Sequence, residues 1–341
     1  MKKIFLIGLT AAAMMASCSN DETVEMAQQK AISFSNAFVN NGTRSIVDPS
    51  FTTTSLNDFA VYGFTQNGQI FDGVKVSKGG ATWSYDNVQY WVPGNTYTFG
   101  AIAPYSVAGN VSNVTLPTGA TKVGMEVAFT NTDADQVDLL HAAPAQITGV
   151  TPTYTTPVSM TFNHQLSKVK FSFQNSVGEG YNVKVSNVKI TDAFKEGTLT
   201  VAATGNTWGG QTNKNLELNF GNVVADASTT EASVIANAAT LESYNEKLMI
   251  PMENTAIYTV KFTAELYKGN VLLGTYPHTV EIKNVEFKLG YCYNFKASLT
   301  HKNITGPDEL NPIKFNVTSV ENWNQTESNK DLNVPTTHSG I

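Results

Sequence analysis

Few residues in this chain have the type and spacing to do chemistry. Five histidines, at 141, 164, 278, 301 and 338, fall at none of the spacings that bring imidazoles onto one metal ion. His164, in Phe162-Asn163-His164-Gln165-Leu166-Ser167-Lys168, is of the right type for a general base, but no nucleophile stands near it in sequence. A hydrogen-bonded strand histidine is the better reading. Asp133, Asp135 and Asp138 suggest calcium ligands, yet the stretch lacks the Gly at the sixth and the Glu at the twelfth position of an EF-hand loop, so a solvated acidic turn is expected. No phosphate-cradling glycine loop, G-x-S-x-G elbow, H-E-x-x-H helix or dinucleotide fingerprint occurs. The expectation is a protein that is not an enzyme and has no metal and no cofactor.

Two positions remain. Cys18 closes a run that begins with Lys2 and Lys3, continues apolar from Ile4 to Ala16, and ends Met15-Ala16-Ser17-Cys18. A charged start, a short apolar stretch and small residues before the cut describe a secretory signal over residues 1–17. The apolar run is shorter than the roughly 20 residues a permanent spanning helix needs. A cysteine directly after the small residues is the pattern of a bacterial lipobox. Its thiol would be diacylated and Cys18 would become the new N-terminus, the alternative being an ordinary signal with an incidental cysteine. Ser19-Asn20-Asp21-Glu22 then begins an acidic tether, residues 18–30, which resembles the surface-export signal of Bacteroidetes lipoproteins.

Arg44 is the second position. It is the only arginine, against twenty-one lysines, and follows the turn-forming Asn40-Asn41-Gly42-Thr43. Without the signal, 28 acidic residues face 20 basic ones, a balance of −8. Nothing basic is clustered, so no nucleic-acid partner is expected. Once Cys18 is acylated, Cys292 is the only thiol left, in Tyr291-Cys292-Tyr293, and no internal disulfide can form. It is expected to pack as a small buried hydrophobe.

Stability must therefore come from packed cores, and the mature chain of about 320 residues is long enough for two. It is poor in charge, at 15 %, and rich in Thr, Val, Asn and Ser. Ile32, Phe34 and Phe38 share a parity at its start. Phe59 to Phe64 reads as a strand, and Tyr90-Trp91 leads through Pro93-Gly94-Asn95 into Tyr97 to Ile102 as a hairpin. The aromatics Tyr90, Trp91, Tyr97, Phe99 and Tyr105 could stack on sugars, but a strand pair of this kind more often supplies core. Val169, Phe171 and Phe173 alternate with Lys168, Lys170 and Ser172, as in a half-buried strand. Val183 and Val185 change parity before Val188 and Ile190, which predicts a β-bulge. Val260, Phe262, Ala264 and Leu266 alternate with polar neighbours. Val280 to Ile282, Tyr291 to Leu299 and Ile313 to Val317 complete the set, and only 225–241 is ambiguous with helix. Many short strands predict an all-β chain of two sandwiches, 31–156 and 157–341, divided at the Thr- and Pro-rich Gly149–Pro157.

Three blocks together resemble the fimbrillin family of Bacteroidetes, the subunits of type V pili. The first joins Asp58-Phe59-Ala60-Val61-Tyr62 to Tyr90–Tyr105. The second is Asp138-Leu139-Leu140-His141-Ala142 leading into Met160–Phe171, and the third runs from Ile313 to Trp323. The resemblance implies two tandem transthyretin-like β-sandwich domains. It further implies a lipoprotein exported to the outer membrane surface, trimmed by an arginine-specific protease and polymerised with other fimbrial subunits by donor-strand exchange, serving adhesion. In that reading Ile32, Phe34 and Phe38 lie on the displaced strand, and the cut falls between Arg44 and Ser45. The tail after Trp323 is polar and contains Pro335, so Ile313, Phe315 and Val317 are the better donor residues. The alternative is a lipid-anchored adhesin or glycan-binding module that does not polymerise, or an anchor or tip subunit.

Overall fold

The computed structural model describes residues 30–39, 56–226, 228–252, 256–307 and 311–322, with side chains omitted at 36–39 and 318–322. In chain order the strands are β1 (Phe34–Val39), β2 (Asp58–Thr65), β3 (Gly68–Gly79), β4 (Thr82–Ser84), β5 (Tyr97–Ala103), β6 (Val111–Thr115) and β7 (Gly124–Thr130). There follow β8 (Leu140–Ala142), β9 (Val158–His164), β10 (Ser167–Asn175), β11 (Tyr181–Ala202), β12 (Gly205–Gly221) and β13 (Val223–Val224). The last are β14 (Thr240–Ser243), β15 (Lys247–Met249), β16 (Tyr258–Lys268), β17 (Val271–Ile282), β18 (Tyr291–Leu299) and β19 (Phe315–Asn322). Besides a 3-10 turn at Tyr105–Asn110, the described residues include one short α-helix, α1 (His301–Thr305), capped by Thr300, whose hydroxyl accepts from the Asn303 amide.

Three sheets form. The first has the order β1-β9-β8-β5-β2-β3-β4. Its central strands β2 and β5 are apolar on both faces, because both of their faces are covered. Phe59, Val61, Phe99 and Phe162 enter one core, while Ala60, Tyr62 and Ile102 enter another with Val123, Met125 and Leu199. The third core fills the C-terminal half, between the β13-β14-β10-β18-β19 sheet and the β11–β16–β17 part of the remaining one.

That remaining sheet, β17-β16-β11-β7-β6 with β12 on the other edge of β11, belongs to both halves. Tyr181–Ile190 of β11 pairs with β16, and Glu196–Val201 of the same strand pairs with β7. Phe194, between the two stretches, packs against both the second and the third core. A boundary between 156 and 157 does not match the hydrogen bonding. β9 is paired with β1 and β8 in the first sheet, and the chain leaves that sheet only at Gln165 and Leu166. Composition marked the loop and not the strand after it.

Local patterns fare unevenly. The expected bulge is present: the β11–β16 register shifts between Ser186 and Lys189, with Asn187 at φ 55°. Val260, Phe262, Ala264 and Leu266 all face the C-terminal core. Residues 225–241 contain no helix among those described. The Pro93-Gly94 turn forms, with the Asn95 amide on the Val92 carbonyl at 3.2 Å, yet the flanking segments are not a hairpin. β5 pairs with β2 and β8, while Tyr90 bridges Ala31. Of the aromatic group, Trp91, Tyr97 and Phe99 are buried, Tyr105 is half-buried and Tyr90 is exposed.

Candidate assembly site

The first strand is where the chain departs from ordinary sandwich wiring. β1 lies at the edge of the first sheet, parallel to β9, with Phe34 opposite Val158 and Val39 opposite Phe162. Consecutive antiparallel strands close through tight turns, whereas this pairing joins segments more than a hundred residues apart. The Val158 amide donates to the Ser33 carbonyl at 2.8 Å. Upstream, the Ile32 amide donates to Gln89 O at 2.8 Å, the Trp91 amide to Lys30 O at 2.9 Å, and the Tyr85 hydroxyl to Ile32 O at 2.8 Å.

Ile32 and Phe34 fill the groove that these bonds outline, with only 1 % and 4 % of their surface exposed. The Phe34 ring meets four others edge-on: Tyr85 at 5.6 Å, Phe71 at 5.8 Å, Phe59 at 5.9 Å and Phe99 at 6.1 Å. Gly63 clears the floor of this cluster. A Cβ there would stand 2.9 Å from Phe71 and 3.0 Å from Phe99. Phe38 pairs through its backbone with Thr161, but its side chain lies outside the described residues. So do Cys18, Arg44 and Ser45, the last two in the stretch between Val39 and Leu56.

The residues read as a donor strand are already in use. Ile313 is buried in the C-terminal core, and Phe315 stands 5.1 Å from Phe171, 5.6 Å from Phe173 and 6.1 Å from Phe262. Phe315 and Val317 lie on β19, the edge strand beside β18, and Val317 packs half-buried on the same core. The two edges, β1 on one half and β19 on the other, are both single strands held by one neighbour.

The polar groups gather at the junction of the halves instead. His164 Nδ1 lies 2.9–3.0 Å from the Asp138 carboxylate, the strand histidine that was expected. Asp133, from the same acidic stretch, is turned away to Lys247 at 3.0 Å. Among the described residues no group of three or more His, Cys, Asp or Glu side chains is placed to hold a metal ion. Asn206 bridges His141 Nδ1 at 3.1 Å and the Gln165 side-chain oxygen at 2.7 Å. Burial, and secondarily Lys122, lowers the His141 pKa to about 4. Lys168 is not on a solvent face, as alternation suggested. It is buried with Glu246, Nζ to Oε2 3.2 Å, where the strand is covered on both sides. Burial disfavours its charge, but Cys292, Glu246 and Asp138 outweigh that and raise its pKa. Cys292 itself is half-buried rather than buried.

The sequence profile of the fimbrillin-like family matches residues 43–323, and the chain belongs to that family. Among solved structures, a fimbrial protein from Bacteroides vulgatus aligns with a TM-score of 0.60 at 15 % identity, over 86 % of this chain and 99 % of that one. A candidate cell adhesion protein from Bacteroides ovatus aligns with a TM-score of 0.48 at 18 % identity, over 86 % and 98 % of the two chains. The first shows a shared fold. Curated protein sequences returned no match.

Proposed function

We propose that this fimbrillin-like chain is a structural subunit of a cell-surface fimbria, made as a lipoprotein on Cys18 and activated by a cut after Arg44. The observation that carries the reading is the seat of β1. It is an N-terminal edge strand in parallel pairing, with Ile32 and Phe34 in an aromatic groove, followed by the chain's only arginine. Cutting after Arg44 severs the covalent link between β1 and β2 and leaves the strand held by non-covalent contacts alone. A strand from a neighbouring subunit can then replace it, regaining both backbone pairing and ring contacts. The donor in this proposal is the segment Ile313, Phe315 and Val317, which would leave β18 as it fills the groove of the next copy. The surface so built would serve adhesion.

N-terminal sequencing of protein recovered from the cell surface tests the reading. A start at Ser45 supports it, and a start at Cys18 in assembled material would overturn it. Arg44→Ala should leave β1 attached and block polymerisation.

A further inference from the structure

Large apolar side chains stand exposed in a few places, Val234 and Ile257 singly and the rest in two groups. One is the β16–β17 turn, with Val271, Leu272 and Leu273, where Lys268 pairs with Tyr181 at the start of β11. The other is a strip of extended chain from Val88 to Val92. Val88, Tyr90 and Val92 are 44–47 % exposed, while Gln89 and Trp91 alternate inward. Trp91 fixes the strip's orientation, its ring 4.7 Å from Tyr97 and 4.9 Å from Tyr154. The Val92 amide donates to the Tyr97 hydroxyl at 2.7 Å.

We propose that Val88, Tyr90 and Val92 form a lipid-contacting face that seats the acylated precursor on the membrane surface. The inference rests on the lipoprotein reading of Cys18. The point at which the chain joins the fold identifies the occupant. Ala31 bridges Tyr90, and Lys30 accepts a hydrogen bond from the Trp91 amide, so the tether reaches the body directly beside the strip. Residues 19–30 separate that point from Cys18 and span at most about 43 Å when fully extended. The strip is therefore the exposed apolar surface beside the point where the tether joins the fold.

The chemistry of the strip fits a lipid interface. Two valines present apolar surface, and a tyrosine offers an apolar ring with a polar tip suited to the headgroup level. Among the described residues no helix is long and apolar enough to cross a membrane. Three half-exposed side chains bind a bilayer weakly alone, but a short tether holds them at about millimolar effective concentration. A cut after Arg44 leaves the tether joined to β1 alone, so displacement of β1 then also releases this face from the membrane.

The test uses the full acylated precursor carrying Cys292→Ser and an environment-sensitive fluorophore on Val88→Cys, in phosphatidylethanolamine–phosphatidylglycerol vesicles. Acylation is read separately by mass. The label should shift to the blue and be quenched by lipids brominated near the headgroup. The same label on Val271→Cys should do neither, and Tyr90→Ser with Val92→Ser should abolish the Val88 shift. An acylated protein whose Val88 label stays in a water-like environment overturns the proposal and leaves the lipoprotein reading standing. Absence of the acyl mass overturns both. A blue shift that rises with concentration in the unacylated chain from Ser19 overturns it in favour of a second copy.

Discussion

The ring of Phe34 stands edge-on to that of Phe59, 5.9 Å between centroids and 88° between planes. This contact ties the first strand to β2, across the stretch of chain that contains Arg44. The strand is thus bound by packing to the body from which a cut would separate it. Phe34→Ala removes a ring in contact with four others and should destabilise the uncut protein by about 3–5 kcal/mol. Thermal unfolding measures this, and an unchanged midpoint would mean the groove tolerates being empty.

Burial of neutral His141 makes stability depend on acidity. Its pKa is about 4 in the fold against 6.5 when unperturbed. Between those values the unfolded chain binds a proton that the folded chain does not. Its contribution is fully present above pH 6.5, falls as the pH is lowered, and is lost by about pH 4, a change on the order of 3 kcal/mol. His141→Gln keeps an acceptor for Asn206 and should flatten this part of the pH–stability curve, as read by denaturant unfolding across the range.

How much of this was legible in sequence depended on how local the cause was. The alternation of Val260, Phe262, Ala264 and Leu266, and the parity change before Val188, follow from adjacent residues, and both features are present. Ile32 and Phe34 were readable as a buried pair for the same reason. The buried state of Lys168 was not, because it depends on Glu246, a residue on the segment before β15 that no local pattern connects to β10. The Pro93-Gly94 turn was readable, but its flanks pair with Ala31 and with β2 and β8, so the turn chemistry was right and the inferred partner wrong. The domain division followed the composition of the Gly149–Pro157 loop, whereas the place of β9 in the first sheet, and of β11 between two cores, is visible only when their partners are known.

The Lys168–Glu246 pair supplies a third expectation. Both side chains are buried, and removing Glu246 takes from Lys168 the ion pair that helps offset its burial. Glu246→Leu should cost about 3–5 kcal/mol, whereas Lys168→Met combined with Glu246→Leu should recover most of the loss. Urea unfolding of the wild type, the single and the double variant forms the cycle. A double variant no better than the single one would show that the pair's role lies in its other contacts.

The last expectation concerns the strand after cutting. Ile32 and Phe34 are each worth about 1.5–3 kcal/mol on burial, so a protein cut after Arg44 and stripped of β1 should melt lower than the uncut protein and self-associate. A nick alone should change little, because the β9 pairing and the ring contacts persist until the fragment is displaced. A synthetic peptide of residues 31–38 added to the stripped protein should bind and raise the midpoint in proportion to its occupancy. The same peptide with Ile32→Asp and Phe34→Asp should not, since two carboxylates would have to enter an aromatic groove without partners. A peptide of residues 313–320 separates donor-strand exchange from simple refolding. If it also raises the midpoint and suppresses self-association, the C-terminal edge strand can occupy the place of β1 in another copy. If only the 31–38 peptide acts, the groove is specific to its own strand and Ile313, Phe315 and Val317 are not the donor.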